Sequence, residues 1–357
     1  MSSKYEYEIG LDLHKKFSVL AVNKSGTCIE TIKLPNDRLV FDTYFSNFKK
    51  HTYRVTFESS SAYYWLVDYF NDNKIPFIMS NPFLNRAIAN VRTKNDKYDA
   101  QTLAELTRAD LIARCFVPEQ SIRHLRSLVF YRSKLIAMRT RLKNMVHTML
   151  AKYNYQAPYQ DIFGTLGRRW IASCTLPDVF RTLLSDTLDI LDDLDQRLAP
   201  YRKMLYHRIK DHPYYRILKT VSGIDVINAA VLIARIGTID RFKNVDKFVR
   251  YAGFAVNTRA SAGVLHAGHI NKKSDRYIRT ALVEASWLTI RKDAALAAFY
   301  EHVKAQKGSG CAIVAVGRKL SRSIYFMLKN NRPYKERRMQ PQWLPVESGT
   351  AAGSVWR

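Results

Sequence analysis

Apolar residues along this chain follow two periods, and the change from one to the other divides it. Near the N-terminus they alternate: Tyr5, Tyr7 and Ile9 stand between polar neighbours, Phe17 to Val22 is a second apolar run, and Cys28 to Leu34 alternates again. That period of two predicts three strands, with Lys24-Ser25-Gly26 as a turn between the second and third. A helical stripe follows at Phe41, Tyr44, Phe45 and Phe48. Then come a strand from Tyr53 to Phe57, a helix from about Ala62 to Asn71, a short strand Phe77 to Ser80 and a helix opening near Asp96. From residue 119 the helical period takes over. Leu125, Leu128, Leu135, Met138, Leu142 and Met145 mark one long helix, and Leu183 to Leu205 a second.

Three strands, helix, strand, helix, strand, helix is the order of an RNase-H-like domain, whose first and fourth strands lie side by side. The two long helices, joined across Gly164 to Pro177, predict an antiparallel coiled-coil hairpin. A third unit starts near Tyr214, where Thr220-Val-Ser-Gly223-Ile-Asp225 feeds an apolar helix. This turn is similar to a helix-hairpin-helix, whose amides grip a phosphate. Asp225 stands where such turns commonly carry a second glycine, so a purely structural turn is an equal reading. The expected fold class is therefore α/β plus α. Its parts are an RNase-H/RuvC-like domain at 1–115, a coiled coil at 116–213, a mostly helical domain at 214–330 and a mobile basic tail at 331–357.

Charge changes the picture next. Fifty-seven Lys and Arg against thirty-one Asp and Glu give a formal net charge of +26 over 357 residues. That is the footprint of a polyanion binder, and nucleic acid is the expected partner. An anionic membrane surface is the competing one, but no apolar stretch approaches spanning length and no amphipathic basic anchor stands out. The N-terminus lacks a signal-peptide pattern, and Cys28, Cys115, Cys174 and Cys311 show neither metal-type nor disulfide-type spacing. Reduced, mostly buried thiols in a cytoplasmic protein are expected. Arg123, Arg126, Arg132, Arg139, Arg141 and Lys143 give the first long helix one sign of charge, which predicts contact with an RNA or DNA backbone. A solvated helix face is the bland alternative.

Against this basic background four carboxylates stand out. Asp12 lies in one apolar run, Glu58 ends another, and Asp96 and Asp99 open a helix three residues apart. In RNase-H order they converge, and such a set can hold two Mg2+ ions. Each acid alone reads more simply as a cap or turn residue. His14 and His51 are single histidines without metal-type partners in sequence.

At these residues the chain resembles a known family. Gly-Leu-Asp12-Leu-His-Lys, Phe-Glu58-Ser-Ser, Lys94-Asn-Asp96-Lys-Tyr-Asp99-Ala and a late Gly…Ser-x-Gly segment are similar to those of DEDD transposases with a catalytic serine. These are bridge-RNA-guided insertion-sequence recombinases, related to the pilin-gene invertase. The resemblance covers roughly residues 5–330 and implies a RuvC-like domain, a coiled coil and a transposase domain. It places the nucleophile at Ser261, eight residues after Gly253, with Arg259, Lys272, Arg276 and Arg279 able to neutralise phosphate. Val256 replaces the family's proline, Ala262 intervenes before Gly263 and Ser274 replaces a glycine, so Ser274 and Ser286 stay open as nucleophiles. The resemblance implies cutting and rejoining of target and donor DNA through a covalent phosphoserine, with a structured guide RNA as partner. A dimer or tetramer is expected. Two other classes compete: a RuvC-like nuclease using water, and a non-catalytic RNA-binding scaffold.

Overall fold

The computed structural model describes residues 4–89, 96–261, 264–270 and 274–336; for 86–89, 96, 97, 256–261 and 264–270 only the backbone is described. The chain forms two compact units, Met1–Val117 and Pro118–Arg357. The first is a mixed α/β unit and the second is mostly helical.

Alternation in the first unit produces the expected strands. They are β1 (Tyr7–Leu13), β2 (Phe17–Lys24), β3 (Thr27–Pro35), β4 (Tyr53–Glu58) and β5 (Phe77–Ser80), in the sheet order β3-β2-β1-β4-β5. The first three are antiparallel, while β4 runs parallel to β1, and β5 to β4. Helices α1 (Arg38–Phe45), α2 (Tyr63–Asp72), α3 (Pro82–Ala89) and α4 (Asp96–Arg108) complete the unit. The short helix α3 has no counterpart in the sequence reading.

Strand residues take opposite faces in turn. Ile9, Leu11, Leu20, Val22, Val55 and Phe57 pack with Phe41 and Phe45 of α1 and Leu66 and Phe70 of α2, so these helices cover one face. Burying such side chains contributes about 1.5–3 kcal/mol each. The other face carries Gly10, Asp12, Val19, Ala21, Thr56, Glu58 and Ile78, which the ladder pairings align. Helix α4 lies on it. Ala100 packs with Val19 and Ala21, Leu103 and Leu106 pack with Ile78, and the Thr107 hydroxyl donates to Thr56 Oγ1 at 2.8 Å.

This approach depends on Gly10. A Cβ there would run into the Ala100 carbonyl and lie 2.8 Å from the Ala104 nitrogen. Because both of those are backbone atoms, the helix as a whole would have to move.

In the second unit α5 (Gln120–Lys152) serves two cores. Its first half, with Ile122, Leu125 and Val129, packs into a large helical core. That core also holds residues of α8 (Tyr201–Ile209), α9 (Pro213–Leu218), α10 (Val226–Ile236), α11 (Val245–Tyr251), α12 (Arg276–Thr289) and α13 (Ala294–Lys329). Its second half packs through Val146, Met149 and Leu150 with α6 (Thr165–Ser173) and α7 (Asp178–Leu198). Arg139 meets Asp195 at 2.7 Å while the Val146 region meets Leu184, so α5 and α7 run antiparallel. The buried positions of α7, Leu184, Thr187, Leu191 and Leu194, step by three and four. The second long helical pattern is broken at Pro200 into α7 and α8, and the expected connection at Gly164 to Pro177 contains α6.

The strands β6 (Val256–Ser261) and β7 (Val264–Ile270) form a two-stranded hairpin in this helical surround. The first described residues of the expected tail are tied down: the Tyr334 hydroxyl donates to Asp293 at 2.6 Å and its amide to Thr220 Oγ1 at 2.8 Å. All four cysteines are free, and Cys28 and Cys311 are exposed rather than buried. Among the described residues no helix is long and apolar enough to cross a membrane.

Gly10→Ala should destabilise the first unit by about 3 kcal/mol, because neither backbone can yield locally. Amide exchange in β1 and α4 of the full chain should then accelerate by roughly a hundredfold. Unchanged protection would mean that α4 is not seated on Gly10.

Candidate active site

The carboxylates enter the site through strand register. Leu11 of β1 pairs with Phe57 of β4, so Asp12 and Glu58 each stand one residue beyond that pair, at neighbouring ends of two parallel strands. Both are on the face covered by α4. Asp99 immediately precedes Ala100, the α4 residue seated against Gly10, and is half-buried. Asp96 is the first residue of α4, one turn earlier, and its side chain lies outside what is described. Sheet and helix thus converge at the β1 and β4 ends that bear two of the four acids and at the helix start that bears the others.

Two further residues shape this region. His14 Nε2 lies 3.0 Å from Asp12 Oδ2, both half-buried. Its ring lies tilted against Phe17 with centroids 4.6 Å apart, and its carbonyl accepts from Asn36 Nδ2 at 2.8 Å. The β1–β2 turn therefore holds His14 over Asp12, a pairing that sequence spacing did not disclose. Asn85 of α3 is buried and does the same for Glu58. Its Nδ2 donates to Glu58 Oε1 at 3.2 Å and to Ser80 Oγ at 3.0 Å, and its Oδ1 accepts from the Ala113 amide at 3.2 Å. A sequence signal for α3 existed in Asn81-Pro82: Asn81 Oδ1 accepts from the Phe83 amide at 3.0 Å, and Pro82 takes the first helical position.

An all-carboxylate donor set suits a hard divalent cation. Among the described residues no group of three His, Cys, Asp or Glu side chains is arranged to hold a metal, a search that does not reach Asp96.

Ser261 lies in the other unit, at the end of β6, paired with Val264 at the turn of the hairpin. The roots of this hairpin are clamped. Gly253, at φ +85°, precedes β6, and a Cβ there would lie 2.6 Å from Ser274 Oγ and 3.1 Å from Arg279 Nη1. Arg279 donates to the Gly253 carbonyl at 3.5 Å and to Ser274 Oγ at 3.4 Å. The Asp275 amide donates to the Tyr251 carbonyl at 2.9 Å, and its buried carboxylate caps α12 and meets Arg235 Nε at 2.5 Å. Burial works most strongly against the Arg235 charge, but Asp275, Tyr251 and Tyr277 together outweigh it and raise the guanidinium pKa. Ser286, the other serine left open, is buried and donates to the Leu282 carbonyl at 2.6 Å, so it is closed to DNA.

The cations divide into two sets. Around the hairpin, Arg276 is exposed and lies over the Tyr277 ring, and Arg279 is half-buried at the hairpin root. The Arg259 side chain and the whole of Lys272 lie outside what is described. On α5 most of the charges face protein. Arg123 is buried, and Arg126 donates to the Ala234 carbonyl at the end of α10 at 2.6 Å. Burial pulls the Arg132 pKa down, opposed by Asp225 and Glu284. Arg139 is paired with Asp195, and Lys143 lies over the Phe163 ring at 4.3 Å, leaving Arg141 exposed. At the Gly223 turn, Asp225 caps α10 by accepting from the Asn228 amide at 2.9 Å and pairs with Arg202. That helix N-terminus already carries the chain's own carboxylate, as a structural turn does.

Comparison with known proteins gives this geometry a class. Residues 9–155, which include all four carboxylates, match a DEDD-type model described as "Transposase", and residues 215–301, which include Ser261, match one described as "Transposase IS116/IS110/IS902 family". The chain is 24% identical over 252 residues to a "Probable family 20 transposase" of Pseudomonas aeruginosa, covering 68% of this chain and 74% of that protein. It is 25% identical over 130 residues to "Insertion element IS110 uncharacterized 43.6 kDa protein" of Streptomyces coelicolor, 36% of this chain and 32% of that protein. A third relative, "Putative transposase y4qE" of Sinorhizobium fredii, is 20% identical over 196 residues, 55% of this chain and 48% of its own. The protein is a DNA transposase or recombinase. More particularly, it is an insertion-sequence transposase of the IS110 family.

The Asn85 contacts assign it a positioning role toward Glu58. Asn85→Ala should lower strand-transfer activity about tenfold while raising the divalent-ion concentration needed for half-maximal rate. A rate loss with an unchanged ion dependence would reduce Asn85 to a packing residue.

Proposed function

We propose that this transposase is an RNA-guided recombinase that cuts and rejoins DNA through a phosphoserine at Ser261. Its first unit then acts as an RNase-H/RuvC-like domain, and α5 with α7 as an antiparallel coiled coil. The observation that carries this reading is the placement of Asp12 and Glu58 side by side on the face where α4 brings Asp99. In a chain of net charge +26, acids gathered at one place make sense opposite a phosphate backbone.

Asp12, Glu58, Asp96 and Asp99 are the residues that would hold Mg2+, two ions in the full reading. Bound there, Mg2+ supplies polarisation of the phosphate and stabilisation of charge on the attacking and departing oxygens. The chain's own groups do the rest. Asn85 keeps Glu58 aimed, and His14 steadies Asp12. Arg259, Lys272, Arg276 and Arg279 neutralise the phosphate beside Ser261, and the clamped hairpin root fixes where the serine is presented. In the step itself the Ser261 oxygen forms a bond to phosphorus as a deoxyribose oxygen departs. The serine proton leaves and the departing oxygen gains one. Attack by a new deoxyribose hydroxyl reverses the exchange and frees the serine, so the strands are rejoined without a nucleotide cofactor. A guide RNA and both target and donor duplexes are the partners this reading requires, with α5 less exposed to them than its arginine count implies.

Asp12→Asn and Asp99→Asn should each lower strand transfer by at least about a thousandfold while leaving nucleic-acid affinity within about twofold, since the basic surface supplies affinity. Full activity in either variant would remove the carboxylates from the mechanism. In a denaturant-quenched reaction the wild type should yield a heat-stable protein–DNA adduct that maps to the peptide carrying Ser261. Ser261→Ala should lose both adduct and strand exchange and still bind DNA. Continued cleavage by that variant with free DNA ends would instead identify a nuclease that uses water.

A further inference from the structure

The first unit holds a second concavity, at the end of β4 opposite to Glu58. Tyr53 opens that strand and Glu58 closes it, so the two regions lie about 17 Å apart. Between α1, the end of α2 and the entries to β4 and β5 is a cavity of about 490 Å³. That is within the range of small-ligand sites. Phe45, Phe48, Tyr53 and Pro76 give it an apolar wall. Phe45 and Tyr53 stack with centroids 5.5 Å and planes 7° apart, and each is only 5% exposed, so the core behind fixes this wall. Phe48 leans on Tyr53 at 49° and is half-buried, which leaves part of its ring to an occupant.

Polar groups converge on the same space. Buried Tyr53 has no hydrogen-bond partner for its hydroxyl among the described residues, and that side chain lines the cavity. A buried hydroxyl of this kind calls for a partner, and the cavity is where one can sit. Burial pushes its pKa up to about 12, so at neutral pH it remains a donor. Asp42 lines the cavity too, with one carboxylate oxygen accepting from the Tyr69 hydroxyl at 2.9 Å. Its other oxygen has no partner among the described residues. Lys50 and Lys74 are exposed at the rim, and neither is paired with an acid among the described residues. An aromatic wall with cations at its rim fits a flat ring that carries a phosphate. The carboxylate selects the ring. Guanine offers N1–H and N2–H side by side, whereas adenine, cytosine and uracil present no such adjacent pair of donors to a carboxylate. We propose that this cavity binds a guanine nucleotide, with its donor edge on Asp42, O6 accepting from Tyr53 and its phosphate at Lys50 and Lys74. The nucleotide is either free or an unpaired residue of an RNA strand, and both present the same groups. The proposal rests on neither the carboxylate site at Asp12 nor the serine chemistry.

GMP tests it on the full chain, freed of nucleic acid, by titration followed through assigned backbone amides. GMP should shift residues 42–53 and 69–76 saturably, and AMP and CMP should bind at least about tenfold more weakly. Asp42→Asn should cost GMP at least about tenfold and abolish the preference over AMP, and Tyr53→Phe should weaken GMP without altering the fold. The paired change Lys50→Gln with Lys74→Gln should weaken GMP and leave guanosine, which has no phosphate, unaffected. A uridine-tract RNA with one central guanine separates the two sources. Binding at least about tenfold tighter than GMP, and lost when inosine replaces the guanine, identifies an RNA strand; binding no tighter than GMP identifies the free nucleotide. No saturable shift by GMP or this RNA up to about 10 mM would overturn the proposal. So would equal binding of GMP, AMP and CMP, or GMP binding that Asp42→Asn leaves unchanged.

Discussion

At Gly10 the backbone of α4 rests directly on β1, and the arrangement of the candidate site follows from that contact. A side chain at this position would meet the Ala100 carbonyl. With none present, the helix lies close enough for Ala100 to pack on Val19 and Ala21 and for Thr107 to reach Thr56. Asp99 is adjacent to the point of contact, while Asp12 is two residues past Gly10 on the same face of β1. One small residue therefore fixes the separation between the strand that carries one acid and the helix that carries two others. Because such an approach involves backbone rather than long side chains, it allows little adjustment, which suits a site that must place charge accurately.

The second unit solves a comparable problem with polar contacts. Its two-stranded hairpin is tied to the helices by the residues just before and after it. Arg279 bridges the Gly253 carbonyl and Ser274, and Asp275 links Tyr251, Arg235 and the first turn of α12. The pair of half-buried Arg235 with buried Asp275 adds little net stability, because Asp275 loses its water to make it. Its effect is to set one geometry at the root of the segment that ends in Ser261.

Strand order, the neighbouring of β1 and β4 and the long helices were legible because alternation and helical period are local properties of sequence. The four acids drew attention for the same reason, since Asp12 and Glu58 fall at strand ends and Asp96 and Asp99 in the first turn of a helix. Helix α3 was not, because eight residues beginning Pro-Phe-Leu-Asn carry too short a stripe to read, and Asn85 went unseen with it. His14 met Asp12 only through the turn geometry that Asn36 enforces. The basic helix shows the deeper difficulty. Arg132 and Arg139 stand seven residues apart in line with Leu125 and Val146, so they fall in the inner seam. Charge density alone cannot separate such residues from phosphate contacts. Their role becomes visible only once α7 supplies Asp195 and α10 supplies the carbonyls that Arg126 caps.

The proposed chemistry requires the acids around Gly10 to form one cation site. Titration of the full chain with Mn2+, followed by paramagnetic broadening of assigned backbone amides, reports this without any turnover. Saturable broadening should centre on residues 11–13, 57–59 and 98–101, be lost in Asp12→Asn and be competed away by Mg2+. Broadening centred instead on the acidic run Asp186 to Asp195 of α7, or no saturable site near β1, would contradict it.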